Sequence, residues 1–235
     1  VQLRPYQEAA VQAIIERLKT DHSTLLVMPP GTGKTEVFVS LAGQLGLRTL
    51  VLAHRDELIN QAADRIERLL GASPAIEKAD LHAARDAQYV VGSVQTLRRA
   101  RRGTWPREHF ALVVVDEAHH APAETYQEIL DHFERAKVVG VTATPDRLDK
   151  KGLGAIFDST AFIYTLPEAI RDGWLVKIMA RRIRLKEVDL TGVSMRAGDL
   201  AQNELEARIG HEKALKAIAD ALFKYSEGRK TLVYT

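Results

Sequence analysis

Eight consecutive residues, Met28-Pro29-Pro30-Gly31-Thr32-Gly33-Lys34-Thr35, carry the densest chemical signal in the sequence. The apolar run Leu25-Leu26-Val27 precedes them and a helical pattern follows. Strand, glycine-containing turn and helix in that order form a phosphate cradle. Pro30, Gly31, Thr32 and Gly33 line the turn in this reading, because glycine lets backbone N–H groups point inward at phosphate oxygens. The helix that follows adds the positive end of its dipole. Lys34 can reach the β- and γ-phosphates, and Thr35 can place its hydroxyl on Mg²⁺. The strict pattern opens with glycine, where this chain has Met28. A turn that merely caps a helix is the alternative, and Gly-Lys-Thr directly after a strand speaks against it.

The second cluster, Asp116-Glu117-Ala118-His119-His120, follows the apolar run Ala111-Leu112-Val113-Val114-Val115. Carboxylates at the end of a buried parallel strand lie at the ligand edge of the sheet. Asp116 is suited to hold Mg²⁺ through water, and Glu117 to orient or deprotonate an attacking water. Without a cysteine or a third spaced ligand, His119 and His120 do not read as a metal site. A third run, Val138-Val139-Gly140-Val141, ends in Thr142-Ala143-Thr144-Pro145. Its hydroxyls are in range of His119 or Glu117 if the strands are neighbours; taken alone, the segment is a strand end and turn.

These residues need a sheet to hold them. Apolar runs at residues 25–27, 49–52, 89–91, 111–115 and 138–141 are short and consecutive, as in strands buried on both faces. Between them, residues 6–19, 35–45 and 56–70 repeat apolar side chains at helical spacing. The alternation predicts an α/β fold, a doubly wound parallel sheet with ligands at the carboxyl ends of its strands. A second unit starts near Arg181: residues 181–190 read as extended, 200–225 as mostly helix and 229–235 as a strand on which the sequence stops.

Length and composition bound the rest. The 235 residues allow one large domain or one and a fraction, and 46% hydrophobic with 27% charged residues argues against a disordered chain. No apolar run reaches the roughly 20 residues of a membrane span. The absence of cysteine excludes disulfides and thiolate chemistry within these residues, and fits a reducing, cytoplasmic setting. Net charge is +2, but unevenly spread: residues 1–180 carry 22 basic and 23 acidic residues, residues 181–235 carry 11 and 8. Between Ser93 and Arg107 stand five arginines, Arg98, Arg99, Arg101, Arg102 and Arg107, and no acid. Such a run is either a solvated face or a set of phosphate contacts.

Taken together, Gly31-Thr32-Gly33-Lys34-Thr35, Asp116-Glu117-Ala118-His119 and Thr142-Ala143-Thr144 resemble motifs I, II and III of superfamily 2 DEAD/DEAH-box helicases in order and spacing. Leu3-Arg4-Pro5-Tyr6-Gln7 resembles the upstream Q-type motif, residues 52–58 motif Ia, and residues 92–97 motif Ib. The wording of the DEAH segment and of residues 142–157 is most similar to the bacterial DNA-directed group, which includes RadD-like proteins and the motor subunits of type I and III restriction enzymes. The resemblance covers about residues 1–180.

The resemblance implies a RecA-like, ATP-binding lobe over residues 1–180, then a linker and the truncated beginning of a second RecA-like lobe over 181–235. It implies ATP and Mg²⁺ as cofactors, with Thr35 and Asp116 on the metal and Lys34, Asp116 and Glu117 in catalysis. Arg4 and Gln7 contact the adenine, while His119, Thr142 and Thr144 couple the site to its surroundings. His54, Arg55, Ser93, Gln95 and Thr96 hold a nucleic-acid backbone. The arginines that follow, Arg98, Arg99, Arg101 or Arg102, then lie on the same face. Backbone contacts carry little sequence preference. The expected activity is an ATP-dependent helicase or translocase acting on DNA rather than RNA, with room for accessory domains or protein partners outside these residues. The alternative is a nucleotide- and DNA-binding module without turnover, since the arginine fingers of the second lobe have no equivalent here. The upstream Gln7 and the adjacent Asp116 and Glu117 speak against a transporter- or kinase-type ATPase.

Overall fold

A computed structural model describes residues 2–98, 100–144, 152–180, 191–196, 199–200, 202–226 and 228–231. The chain divides into two compact units, Val1–Lys177 and Ile178–Thr235. In the first, the elements run α1 (Pro5–Thr20), β1 (Ser23–Val27), α2 (Lys34–Leu45), β2 (Thr49–Ala53), α3 (Asp56–Leu70), β3 (Ala75–Glu77) and β4 (Tyr89–Ser93). They continue with α4 (Val94–Leu97), α5 (Ala100–Gly103), β5 (Leu112–Asp116), α6 (Glu124–His132), β6 (Lys137–Thr142), β7 (Ser159–Ile163) and α7 (Leu166–Arg171).

Seven strands form one sheet in the order β3-β4-β2-β5-β6-β1-β7, and every pairing is parallel. Every residue of β1, β2, β4 and β5 is buried. The pleat divides these apolar runs between two cores. Leu26, Val51, Val114 and Val139 pack with Ile14 of α1, Phe38 of α2 and Ile59 of α3 on one face. Their neighbours Leu25, Leu50, Val113 and Val138 pack with Trp105, Phe110, Ile129 and Phe133 on the other. This is the doubly wound α/β layer expected from the alternation. The helix stripes Ala10, Ile14, Leu18 and Ile59, Ala62, Ile66 are buried as their spacing requires.

In the second unit, the short strands β8 (Met195–Arg196) and β9 (Asp199–Leu200) pair antiparallel, followed by α8 (Gln202–Ile209) and α9 (Glu212–Ser226). The extended segment expected at 181–190 and most of the strand expected at 229–235 lie outside the described residues. No helix among the described residues is long and apolar enough to cross a membrane.

Candidate active site

The carboxyl edge of the sheet gathers the candidate residues. Val27 pairs in register with Thr142, Asp116 with Val141, and the Met28 N–H donates to the Thr142 carbonyl at 3.0 Å. The ends of β1, β6 and β5 therefore stand side by side. Next to β5, β2 ends at Ala53, which pairs with Ser93 at the end of β4. Segments 28–35, 54–55, 93–98, 116–120 and 142–144 thus share one edge, where parallel sheets bind ligands.

The phosphate turn is held open by its glycines and clamped from behind by α1. Gly31 and Gly33 adopt φ of 79° and 80°, a left-handed backbone that side chains resist. A Cβ on Gly33 would collide with the Gln7 amide and the Glu36 carboxylate. Thr32 is buried; its hydroxyl donates to the Pro29 carbonyl at 2.6 Å. Its own carbonyl accepts from the Tyr6 hydroxyl at 2.8 Å and from Gln7 Nε2 at 2.9 Å. Pro30 and Gly31 are exposed, and α2 starts at Lys34, so its first N–H groups have no partner within the helix. Lys34 Nζ donates to the Met28 carbonyl at 3.3 Å. Burial lowers the pKa of this ammonium, and the charges of Glu117 and Asp116 oppose that shift.

Arg4 and Gln7 have protein partners. Gln7 Oε1 accepts from the Arg4 N–H at 2.9 Å, so both ends of its amide brace the turn. The Arg4 guanidinium lies 4.7 Å from the Trp174 ring centroid and donates to the Tyr6 hydroxyl at 3.1 Å. Tyr6 stacks on Tyr164 at 4.6 Å and meets Trp174 edge-on at 5.6 Å. Sequence reasoning passed over Tyr164 and Trp174. The one local signal was Gly173-Trp174, a large aromatic directly after a helix-ending glycine.

On the acidic side, Asp116 is 7% exposed and ends β5. Burial, followed by the adjacent Glu117 charge, pushes its carboxyl up to about 6, against a lowering hydrogen bond from the Glu117 N–H at 3.0 Å and the attraction of Lys34. Glu117 turns the chain with φ of 51°, left-handed and strained for a residue with a Cβ. That bend starts the 3-10 turn Ala118–His120. His119 Nδ1 lies 3.3 Å from Glu117 Oε2, in ion-pair range but not aligned for a hydrogen bond. The Thr142 hydroxyl does not reach His119 or Glu117, contrary to the expectation; it accepts from the Thr144 N–H at 3.2 Å and donates to the Thr144 carbonyl at 3.3 Å. Thr144 itself is exposed. Tyr126 of α6, which no local pattern marked, is 3% exposed, and its hydroxyl has no partner among the described residues. Burial and then the charges of Asp116 and Glu117 push that hydroxyl up to about 12.

Two cavities open along this edge. One of about 390 Å³ is lined by His54, Arg55, Glu117, His119 and His120 among others. The other, about 250 Å³, is lined by His54, Gln95, Arg98, His120 and Tyr126 among others. Ser93 Oγ donates to Gln95 Oε1 at 2.8 Å, Gln95 Nε2 donates to the His54 carbonyl at 3.0 Å, and Thr96 Oγ1 accepts from the Ala79 N–H at 2.9 Å.

The arginine run divides. Arg101 forms an ion pair with Glu77, which is 1% exposed, and donates to the Ala79 carbonyl at 2.8 Å. Arg102 donates to Glu128 at 2.7 Å. Both are therefore paired with carboxylates of the protein, Arg101 with a buried one and Arg102 with a partly exposed one, which corrects the expectation that they face phosphate. Arg98 has no carboxylate partner among the described residues and faces the smaller cavity. Arg99 lies outside the described residues.

The chain is similar to known proteins over much of its length. The Saccharomyces cerevisiae protein IRC3, provisionally named an ATP-dependent helicase, is 31% identical over 84% of this chain and 31% of its own length. The DNA 3'-5' translocase XPB2 of Sulfurisphaera tokodaii is 29% identical over 64% of this chain and 33% of its own. The chain thus spans about a third of the length of these relatives. The solved structure of LlaGI, a type ISP restriction-modification enzyme, superposes with a TM-score of 0.57 at 17% identity, covering 73% of this chain and 20% of that one, and it shares the fold. The family described as type III restriction enzyme, res subunit, matches residues 1–147, well over half of the sequence, and the chain belongs to that family as a superfamily 2 RecA-like helicase lobe.

Proposed function

We propose that the protein is an ATP-driven nucleic-acid motor, a helicase or translocase, that works on DNA in preference to RNA. The observation that carries this reading is a single desolvated edge on which Lys34 feels both Asp116 and Glu117, with the Arg98 cavity next along it. A cation fits the acidic end. Asp116 at about 6 is a buried carboxylate without sufficient countercharge, and Mg²⁺ restores that charge. The left-handed glycine turn and the first N–H groups of α2, which have no partner within the helix, fit a polyphosphate. When bound, Mg²⁺ and ATP supply a transferable γ-phosphoryl whose oxygens carry the developing charge.

The chain's own residues do the rest. Lys34 neutralises phosphate oxygens, and its partial burial strengthens that attraction. Thr35 and Asp116 hold the metal. Glu117 takes the proton of the attacking water, with His119 at 3.3 Å setting its orientation. Arg4 and Gln7 exchange their internal contacts for the base edge, and Thr142 and Thr144 brace the strand end between Lys34 and Asp116. His54, Arg55, Ser93, Gln95, Thr96 and Arg98 hold the nucleic-acid backbone; Arg99 joins them on sequence grounds alone. The preference for DNA follows the XPB2 relative, named for DNA, and the restriction-enzyme family.

The test is ATPase activity of the full-length protein titrated with single- and double-stranded DNA and RNA. Stimulation by DNA above RNA is expected. Equal turnover with and without nucleic acid would sink the motor reading. Lys34→Ala should lower turnover by about a hundredfold or more, since it deletes the point charge on the phosphates.

A further inference from the structure

The His54 and His120 rings meet edge to face, centroids 4.5 Å apart at 66°, and the His119 and His120 rings lie 4.1 Å apart. The first contact is not local in sequence. His54 follows β2 and His120 closes the turn after β5, and they meet because β2 and β5 are neighbours. Both rings line both cavities, so the pair is the partition between them. On one side stand Glu117 and His119, on the other Gln95, Arg98 and Tyr126.

Contacts run through this partition without a gap. Ser93 bonds Gln95, Gln95 bonds the His54 carbonyl, the His54 ring packs on His120, His120 on His119, and His119 lies beside Glu117. Burial lowers the pKa of both His54 and His120, which disfavours the charged form of either ring. They lie ring against ring, and among the described residues no three His, Asp or Glu side chains are grouped to hold a metal ion. His54 Nδ1 is buried and has no hydrogen-bond partner among the described residues, so its ring contact with His120 is not reinforced through that atom.

We propose that His120 is a positioning residue that transmits occupancy of the Arg98 cavity by a nucleic-acid strand to the orientation of Glu117. This rests on the reading of the protein as a nucleic-acid-stimulated ATPase. A phosphate drawn to Arg98 and Gln95 competes for the Gln95 amide that holds the His54 carbonyl. Displacement of His54 then moves His120, because the His120 ring loses the face it meets at 4.5 Å and settles against the shifted partner. His119 follows, and with it the partner of the Glu117 carboxylate. Contiguity supplies the path, and the energy carried along it is measured by a double-variant cycle.

The experiment uses the full-length protein and reads ATP turnover with and without saturating DNA, the KM for DNA, and DNA affinity by anisotropy. His120→Ala is expected to keep DNA-free turnover, DNA affinity and KM for DNA, while DNA-stimulated kcat falls about tenfold. His120→Phe keeps a ring at the partition and is expected to recover most of the stimulation. The pair His54→Ala with His120→Ala is expected to lose no more stimulated kcat than the worse single variant. The inference is overturned if His120→Ala is stimulated like the wild type, if His120→Phe is as impaired as His120→Ala, or if the two losses multiply. A wild-type protein that DNA does not stimulate removes the motor reading and this inference together, whereas a stimulated wild type beside an equally stimulated His120→Ala overturns the inference alone.

Discussion

The carboxyl edge of the sheet and the arginine segment after β4 are both dense in charge, and they treat it in opposite ways. At the edge, charges are brought together and left short of partners. Asp116 is buried beside Glu117 with its carboxyl pushed up to about 6, Lys34 is partly desolvated, and the Tyr126 hydroxyl has no partner among the described residues. Past Arg98, charge is cancelled where it stands, Arg101 by Glu77 and Arg102 by Glu128. An uncompensated buried charge is a standing cost, so it persists where a ligand relieves it. A compensated one holds the fold. Charge density in the sequence does not separate these cases; the partner does.

The comparison breaks first at Glu117. If the edge is arranged for hydrolysis, Glu117→Gln should lower kcat by about a thousandfold while nucleotide binding persists, since the substitution removes the base and keeps the shape. A variant with turnover near the wild type would place the base elsewhere and make the edge a binding feature only.

Arg101 tests the other region. Removing it leaves Glu77 buried with one donor among the described residues, the Ala83 N–H at 3.1 Å. Arg101→Ala should therefore destabilise the protein by about 3 kcal/mol, with little change in DNA affinity of the folded fraction. Denaturant midpoint and DNA binding measured on the same sample distinguish the roles. A stable variant with weakened DNA binding would return Arg101 to the phosphate face.

What was legible in the sequence tracks how local each relation is. The five strands read from consecutive apolar residues are present, because burial on both faces imprints the run itself. β3 and β7 were missed, since Ala75–Glu77 and Ser159–Ile163 are the sheet's outer strands and only partly buried. The glycine turn was legible because phosphate binding requires neighbouring residues of fixed type. Glu77 and Arg101 stand 24 apart, Arg102 and Glu128 26 apart, and no spacing rule joins either pair. Tyr126 and the His54–His120 contact are hidden for the same reason: only the order of the strands brings them to the edge.

Asp116 makes the cost of the edge measurable. Its carboxyl rises from 3.8 to about 6 on folding, so between those values the folded chain binds a proton that the unfolded chain has released. Ligand-free stability from this group therefore falls as pH rises through that window, and the full penalty is present above pH 6. Asp116→Asn keeps an oxygen for the Glu117 N–H and removes the charge, so it should stabilise the ligand-free protein by about 2 kcal/mol at pH 7 while abolishing turnover. Thermal melts at pH 5 and pH 7 check the sign: the gain shrinks at pH 5, where the wild type is largely protonated. A loss of stability at pH 7 would show that the charge is already compensated.

The smallest expected effect divides the arginine run itself. Arg98 faces the cavity that His54 and Gln95 also line, and it has no carboxylate partner among the described residues, whereas Arg102, four positions on, is held by Glu128. A phosphate contact releases condensed counterions, so its loss shows in the salt dependence as well as in affinity. Arg98→Ala should weaken DNA binding about fivefold and lower the slope of log K against log salt by about 0.7–0.9, the contribution of one phosphate. Arg102→Ala should leave that slope unchanged, because its guanidinium is neutralised within the protein and releases no counterion on binding. Equal slope changes for the two variants would mean that the Glu128 pair opens to the strand, and the contrast between ligand-facing and fold-holding charge would then fail inside this segment.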